Sequence, residues 1–137
     1  MGTFGAIGIA STGMTVNRKW MDAVADNLTN MNTVRSADEA AYQAKYVIAE
    51  AIDYGNGSTD GQGVQVGGIA LGSAEGRLVY EPDHPLANAD GYVRYPDIDM
   101  GSQMSQLIMA QRAYQANAAV VDRAKETYTA ALQIGRS

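Results

Sequence analysis

The chain has 137 residues, 46% hydrophobic and 18% charged, which is one domain's worth of core and too apolar for a disordered polyelectrolyte. Having no cysteine, it forms no disulfide and no thiolate metal site, and a net charge of −5 leaves no basic surface for nucleic acid. Aromatics make up 7%, eight of them tyrosine, so alanine, glycine and methionine must fill a lean core.

The charge is unevenly placed. Residues 36–99 hold eleven acids against Lys45, Arg77 and Arg94, a balance of −8, whereas residues 1–35 come to +1 and residues 100–137 to +2. No apolar run approaches the roughly 18 residues that span a bilayer, so no direct membrane insertion is expected. Met1–Thr12 lacks the basic start and continuous apolar stretch of a cleavable signal peptide, so export, if it occurs, needs another route.

The first 35 residues read as one helix. Ile7, Met14, Met21 and Leu28 recur at heptad spacing, with Ala10, Asn17, Val24 and Met31 three positions further on. Such a helix would run roughly 37 Å. Gly8 and Gly13 weaken its opening turns, which leaves them to be ordered by a partner. Asn30 and Asn32 supply the stop signals.

Residues 36–99 hold all three prolines and nine of the fifteen glycines, which makes them strand-and-turn material. Lys45–Ile52 and Val64–Leu71 read as strands on either side of the turn-rich segment Gly55–Gly61, and Arg77–Tyr80 as a third short strand. Glu81–Asp99 is rich in turn formers and is expected to run as an extended connection.

Residues 100–137 return to helical periodicity. Leu107, Tyr114, Val121 and Tyr128 form one column, and Ala110, Asn117, Ala124 and Ala131 the other. Asp99 is placed to cap the helix N-terminus and Gly135 to follow its C-terminus. At roughly 50 Å, this helix is longer than a chain of this size easily covers. The small seam residues point to close, coiled-coil-like packing; an ordinary amphipathic pair closing a single core fits the same pattern. The fold class is α+β: long terminal helices forming a stalk, with a small β-rich insert. The expected divisions are 1–35, 36–99 and 100–137.

A search for chemistry finds little. His84 is the only histidine and sits between Pro82 and Pro85, which describes a rigid turn better than a metal ligand or a catalytic base. Asp53–Gly63 has acids and glycines, but position three of a calcium loop would be Gly55 and position twelve Val64, so the EF-hand pattern fails. Gly67–Gly72 lacks the lysine of a phosphate loop. Asp97 and Asp99 are explained by helix capping. No catalytic, cofactor-binding or metal residue is expected, and no enzyme.

Two segments resemble the flagellar axial proteins, the family of rod, hook and hook-associated subunits. Met21–Thr33, with Asn27-Leu28-Thr29-Asn30-Met31-Asn32-Thr33, is similar to that family's Asn-rich N-terminal motif. Ala110–Ala118 reads AQRAYQANA and is similar to its C-terminal helix motif. A third stretch, Val79–Pro85 followed by Gly91–Pro96, resembles the proximal-rod members. The chain departs from them at Ala37–Tyr42, where they tend to carry a Pro-Glu-Gly-Gly-Pro-Tyr run.

The resemblance implies a structural subunit of the flagellar basal-body rod that polymerises through its terminal helices and transmits torque from motor to hook. Implied partners are copies of itself, other proximal and distal rod subunits, and the flagellar type III export apparatus. The implied location is the basal body, where the rod crosses the periplasm or cell-wall zone. Expected seam contacts are Met21, Val24, Leu28, Leu107, Tyr114, Val121 and Tyr128. Expected hydrogen-bonding residues, within or between subunits, are Asn27, Asn30, Asn32, Gln111, Arg112, Gln115 and Asn117. The rival reading is a secreted helical adaptor or binding module that is monomeric when folded.

Overall fold

The computed structural model describes residues 2–55, 57 and 61–136, with Thr3 by its backbone alone. Helix α1 covers Thr3–Asn30 and helix α2 covers Met100–Gly135. Between them lie strands β1 (Arg35–Ser36), β2 (Lys45–Ala51), β3 (Val64–Leu71), β4 (Arg77–Tyr80) and β5 (Tyr92–Tyr95). The α+β class, with paired terminal helices and a β insert, is as the sequence reads.

The helices pack antiparallel. Phe4 meets Tyr128 edge to face with ring centroids 5.1 Å apart. A Cβ on Gly13 would lie 2.8 Å from the Asn117 amide, so glycine permits the close approach there. Trp20 Nε1 donates to Gln106 Oε1 at 3.3 Å, and Asn27 Nδ2 to Gln103 Oε1 at 3.0 Å. The buried residues of α1 are Ala10, Val16, Ala23, Val24 and Asn27, and those of α2 are Gln103 and Ala110. Small and polar groups therefore fill the centre of the pair, and Val24 is its largest fully buried aliphatic.

The α2 termini follow from local chemistry. Asp99 caps the N-terminus by accepting from the Ser102 N–H at 2.7 Å. Gly135 was expected just beyond the helix; it is instead the last helical residue, and Arg136 takes the cap with right-handed backbone. The left-handed conformation that would have used glycine is absent at that position.

The insert contains two small antiparallel sheets. β2 and β3 form a hairpin with a bulge between Ile48 and Ala49, and both strands pack on α1. The order of the other sheet is β1-β5-β4. Strands β1 and β5 were not expected, and β5 lies within the stretch read as an extended connection. Parts of the expected turn at Gly55–Gly61, namely Asn56, Ser58, Thr59 and Asp60, lie outside the described residues. Of the rest, the Gly55 N–H is held by Asp53 Oδ1 at 2.7 Å.

Arg94 ties the second sheet to its surroundings, Nε and Nη2 donating to the Ala37 carbonyl and Nη1 to that of Glu75. Val93 and Pro96 are fully buried, and Ala37 and Ala41 nearly so. Gly76 must be glycine: its φ is +58°, and a Cβ would fall 2.1 Å from the Tyr95 carbonyl oxygen. His84 sits in a tight turn, where its N–H donates to the Glu81 carbonyl and its Nδ1 accepts from the Leu86 N–H at 3.0 Å.

Candidate assembly interface

The Asn-rich segment at the end of α1 is a junction of three elements. Asn27 is wholly inaccessible and uses both ends of its amide. Its Oδ1 accepts from the Lys45 N–H at 2.8 Å, while Nδ2 donates to the Lys45 carbonyl and to Gln103 Oε1. One side chain thus fixes the first residue of β2 and the first turn of α2 against α1. Nearby, Lys45 and Asp26 form a half-exposed ion pair at 3.0 Å. The hydrogen bond and charge of Asp26 raise the Lys45 pKa above its usual 10.5.

The remaining motif residues finish the helix. Asn30 Nδ2 donates to the Asp26 carbonyl, and its Oδ1 accepts from Thr33 Oγ1 at 3.2 Å. Asn32 is exposed. Close by, the Tyr42 hydroxyl is buried without a hydrogen-bond partner. Desolvation, chiefly, raises its pKa above 10.0; Lys45 opposes the shift, Asp26 reinforces it, and Asn30 softens it weakly without hydrogen-bonding geometry.

The AQRAYQANA segment divides cleanly by face. Ala110 is fully buried, and Ala113, Tyr114, Asn117 and Ala118 are half-buried. Gln111, Arg112, Gln115 and Ala116 are exposed. Of the other expected contacts, Val24 lies in the chain's own interior, Met21, Leu28, Leu107 and Val121 are half-buried, and Tyr128 is 42% exposed against Phe4.

Sequence reasoning missed two groups of residues. One is the set of inner contacts made by Gly13, Trp20, Gln106 and Gln103, the last being the partner of the expected Asn27, which an apolar template does not register. The other is an outward apolar set on α2: Met100, Met104, Ile108 and Met109 are 40–56% exposed. Met104 and Ile108 lie four residues apart, on the same face as Arg112 and Gln115. A scan for apolar residues opposite the inward column would have found them.

Among the described residues, no group of acids or histidine is arranged to hold a metal ion, and no helix is long and apolar enough to cross a membrane. The concave surfaces among the described residues include a shallow groove along the helix pair, lined by Ala6, Ala119, Val120, Ala124 and Thr127, and another between α1 and the β2–β3 hairpin.

The family described as "Flagellar basal body rod FlgEFG protein C-terminal" matches residues 89–134, which contain β5 and nearly all of α2. A flagellar basal-body rod protein FlgC of Salmonella typhimurium is 35% identical, the match covering 93% of this chain and 94% of that one. The chain belongs to the FlgC family. Other members of the same name are 34% identical in Borreliella burgdorferi (98% of each chain covered) and 32% identical in Bacillus subtilis (99% and 100%). The FlgC matches run nearly end to end, so the insert and both helices lie within the shared region.

Proposed function

We propose that this chain is a structural subunit of the flagellar basal-body rod, carrying torque between motor and hook by packing its helix pair against neighbouring subunits. Family membership supports the rod assignment. The observation that carries the packing is α2's outward face, where Met104, Ile108 and Met109 remain 40–52% exposed after the chain has closed its own core. Exposed apolar surface of this kind on a long helix calls for a partner. In this reading residues 1–35 and 100–137 form the rod core and residues 36–99 an accessory insert.

The neighbours are other copies and other proximal and distal rod subunits, and the site of action is the rod where it crosses the periplasm or cell-wall zone. Export through the flagellar type III apparatus without a cleaved signal completes the proposal. Catalysis has no part in this reading. The test is a strain lacking this gene, scored for rods in purified basal bodies and for swimming. Absence of rods, restored by the full chain, is expected; intact rods and normal swimming without it would exclude the role.

A further inference from the structure

The first 22 residues of α2, Met100–Val121, contain a single charged side chain, Arg112. It is exposed, and no carboxylate pairs with it among the described residues, where the ion pairs are Lys45–Asp26 and Arg123–Glu126. Arg112 stands one turn from Ile108 and two from Met104 on the same face. The surface is thus an apolar strip with one cation at its edge.

The same chain carries a surface of matching chemistry at the far end of its insert. Tyr80 and Tyr92 stack edge to face at 5.3 Å across β4 and β5, and Tyr80, Leu78 and Leu86 are 44–63% exposed. The turn joining these strands presents Asp83 and Asp90, both exposed, with no cation on either carboxylate among the described residues. Here an apolar centre is flanked by unneutralised acids, the reverse of the charge on α2. Within one subunit, neither carboxylate pairs with Arg112.

We propose that the β4–β5 tip of one copy docks on the outer α2 face of a second copy, with Asp83 or Asp90 paired to Arg112. The proposal rests on the rod-subunit reading and names the contact between copies. The contact is heterologous: each copy offers a tip and a face that do not meet each other, so each copy added leaves a tip and a face for the next, as an open rod requires. Exposed pairs of this kind are worth little alone, so the apolar strip supplies the binding and the charges set the register.

The experiment places a photoactivatable phenylalanine analogue at Ile108 in one tagged copy. It is made in swimming cells together with a second copy bearing a different tag. The expected crosslink joins position 108 to residues 80–92 of the second copy. Arg112→Glu should reduce its yield at least tenfold while helix content stays unchanged, and Arg112→Gln should reduce it less. Asp83→Lys with Asp90→Lys in the second copy should restore the yield of Arg112→Glu. Crosslinks to the helices of the second copy, crosslinks only to a different protein, or failure of the reversed charges to rescue would each overturn the proposal. Whether rods form with the unsubstituted chain reports separately on the rod reading.

Discussion

Asn27 shows how much one polar side chain can hold in a core this lean. Its three hydrogen bonds join the first residue of β2 and the first turn of α2 to α1, the one to Gln103 buried and the two to Lys45 part-buried. Asn27→Ala would leave the Lys45 amide, its carbonyl and Gln103 Oε1 without their partner, which should cost about 3 kcal/mol. Urea denaturation followed by circular dichroism measures this; a loss below about 1 kcal/mol would mean that water replaces the amide readily. The neighbouring Tyr42 is the opposite case, a buried hydroxyl with nothing to bond. Removing it by Tyr42→Phe should leave stability at pH 7 unchanged or slightly raised. Its pKa, like those of Lys45 and Tyr95, lies above the unfolded value, so the folded chain keeps protons that the unfolded chain releases. Stability is then intact below about pH 10 and falls as pH rises beyond it, later in Tyr42→Phe than in the parent. Denaturation midpoints at pH 7, 9.5 and 11 follow both effects, and an alkaline fall identical in the two proteins would remove Tyr42 from its cause.

At the level of elements, the insert depends on a backbone that only glycine can take. Gly76 has φ +58° and approaches the Tyr95 carbonyl where a side chain would overlap it. Gly76→Ala should destabilise the sheet of β1, β5 and β4 by about 2 kcal/mol or more, through strain and displaced packing together. Amide exchange should show protection lost on Val79 and Val93 while the centres of α1 and α2 keep theirs; loss across the whole chain would mean that insert and helices unfold as one unit. Most of the legible elements carry long periodic signals; four-residue β4, Arg77–Tyr80, is legible as a short strand besides. Both helices, the hairpin strands and the Asp99 cap could be read from spacing. β1 and β5 could not, because two and four residues among turn formers carry no period, and their pairing depends on contacts distant in sequence. The helix seam was read on its apolar columns, whereas the line of close contact runs through Gly13, Trp20 and Asn27, residue types that say nothing of burial until a partner helix is opposite them. Of the candidate interface, the AQRAYQANA motif was visible as a resemblance, but not which of its residues point outward.

For the whole molecule, the decisive question is whether the helix pair is a closed core or one layer of a larger assembly. A charge placed at Tyr114 or Val121 cannot answer it. Both are half-buried in the pair, so Tyr114→Asp would disturb the chain's own folding before any contact between subunits. Ile108 is the better probe, because it is 46% exposed on the opposite side of the same helix. In a self-sufficient monomer Ile108→Asp should be nearly neutral, within about 0.5 kcal/mol, as surface substitutions usually are. In a rod subunit that stability is kept and assembly is lost, because a carboxylate would be buried against a neighbour's apolar surface without a partner. The expected pair of results is therefore an unchanged unfolding curve for Ile108→Asp and no swimming when it is the sole copy. Tyr114→Asp should lose both. Normal swimming with Ile108→Asp would leave the outer face of α2 as ordinary solvent-facing surface and return the apolar strip to chance.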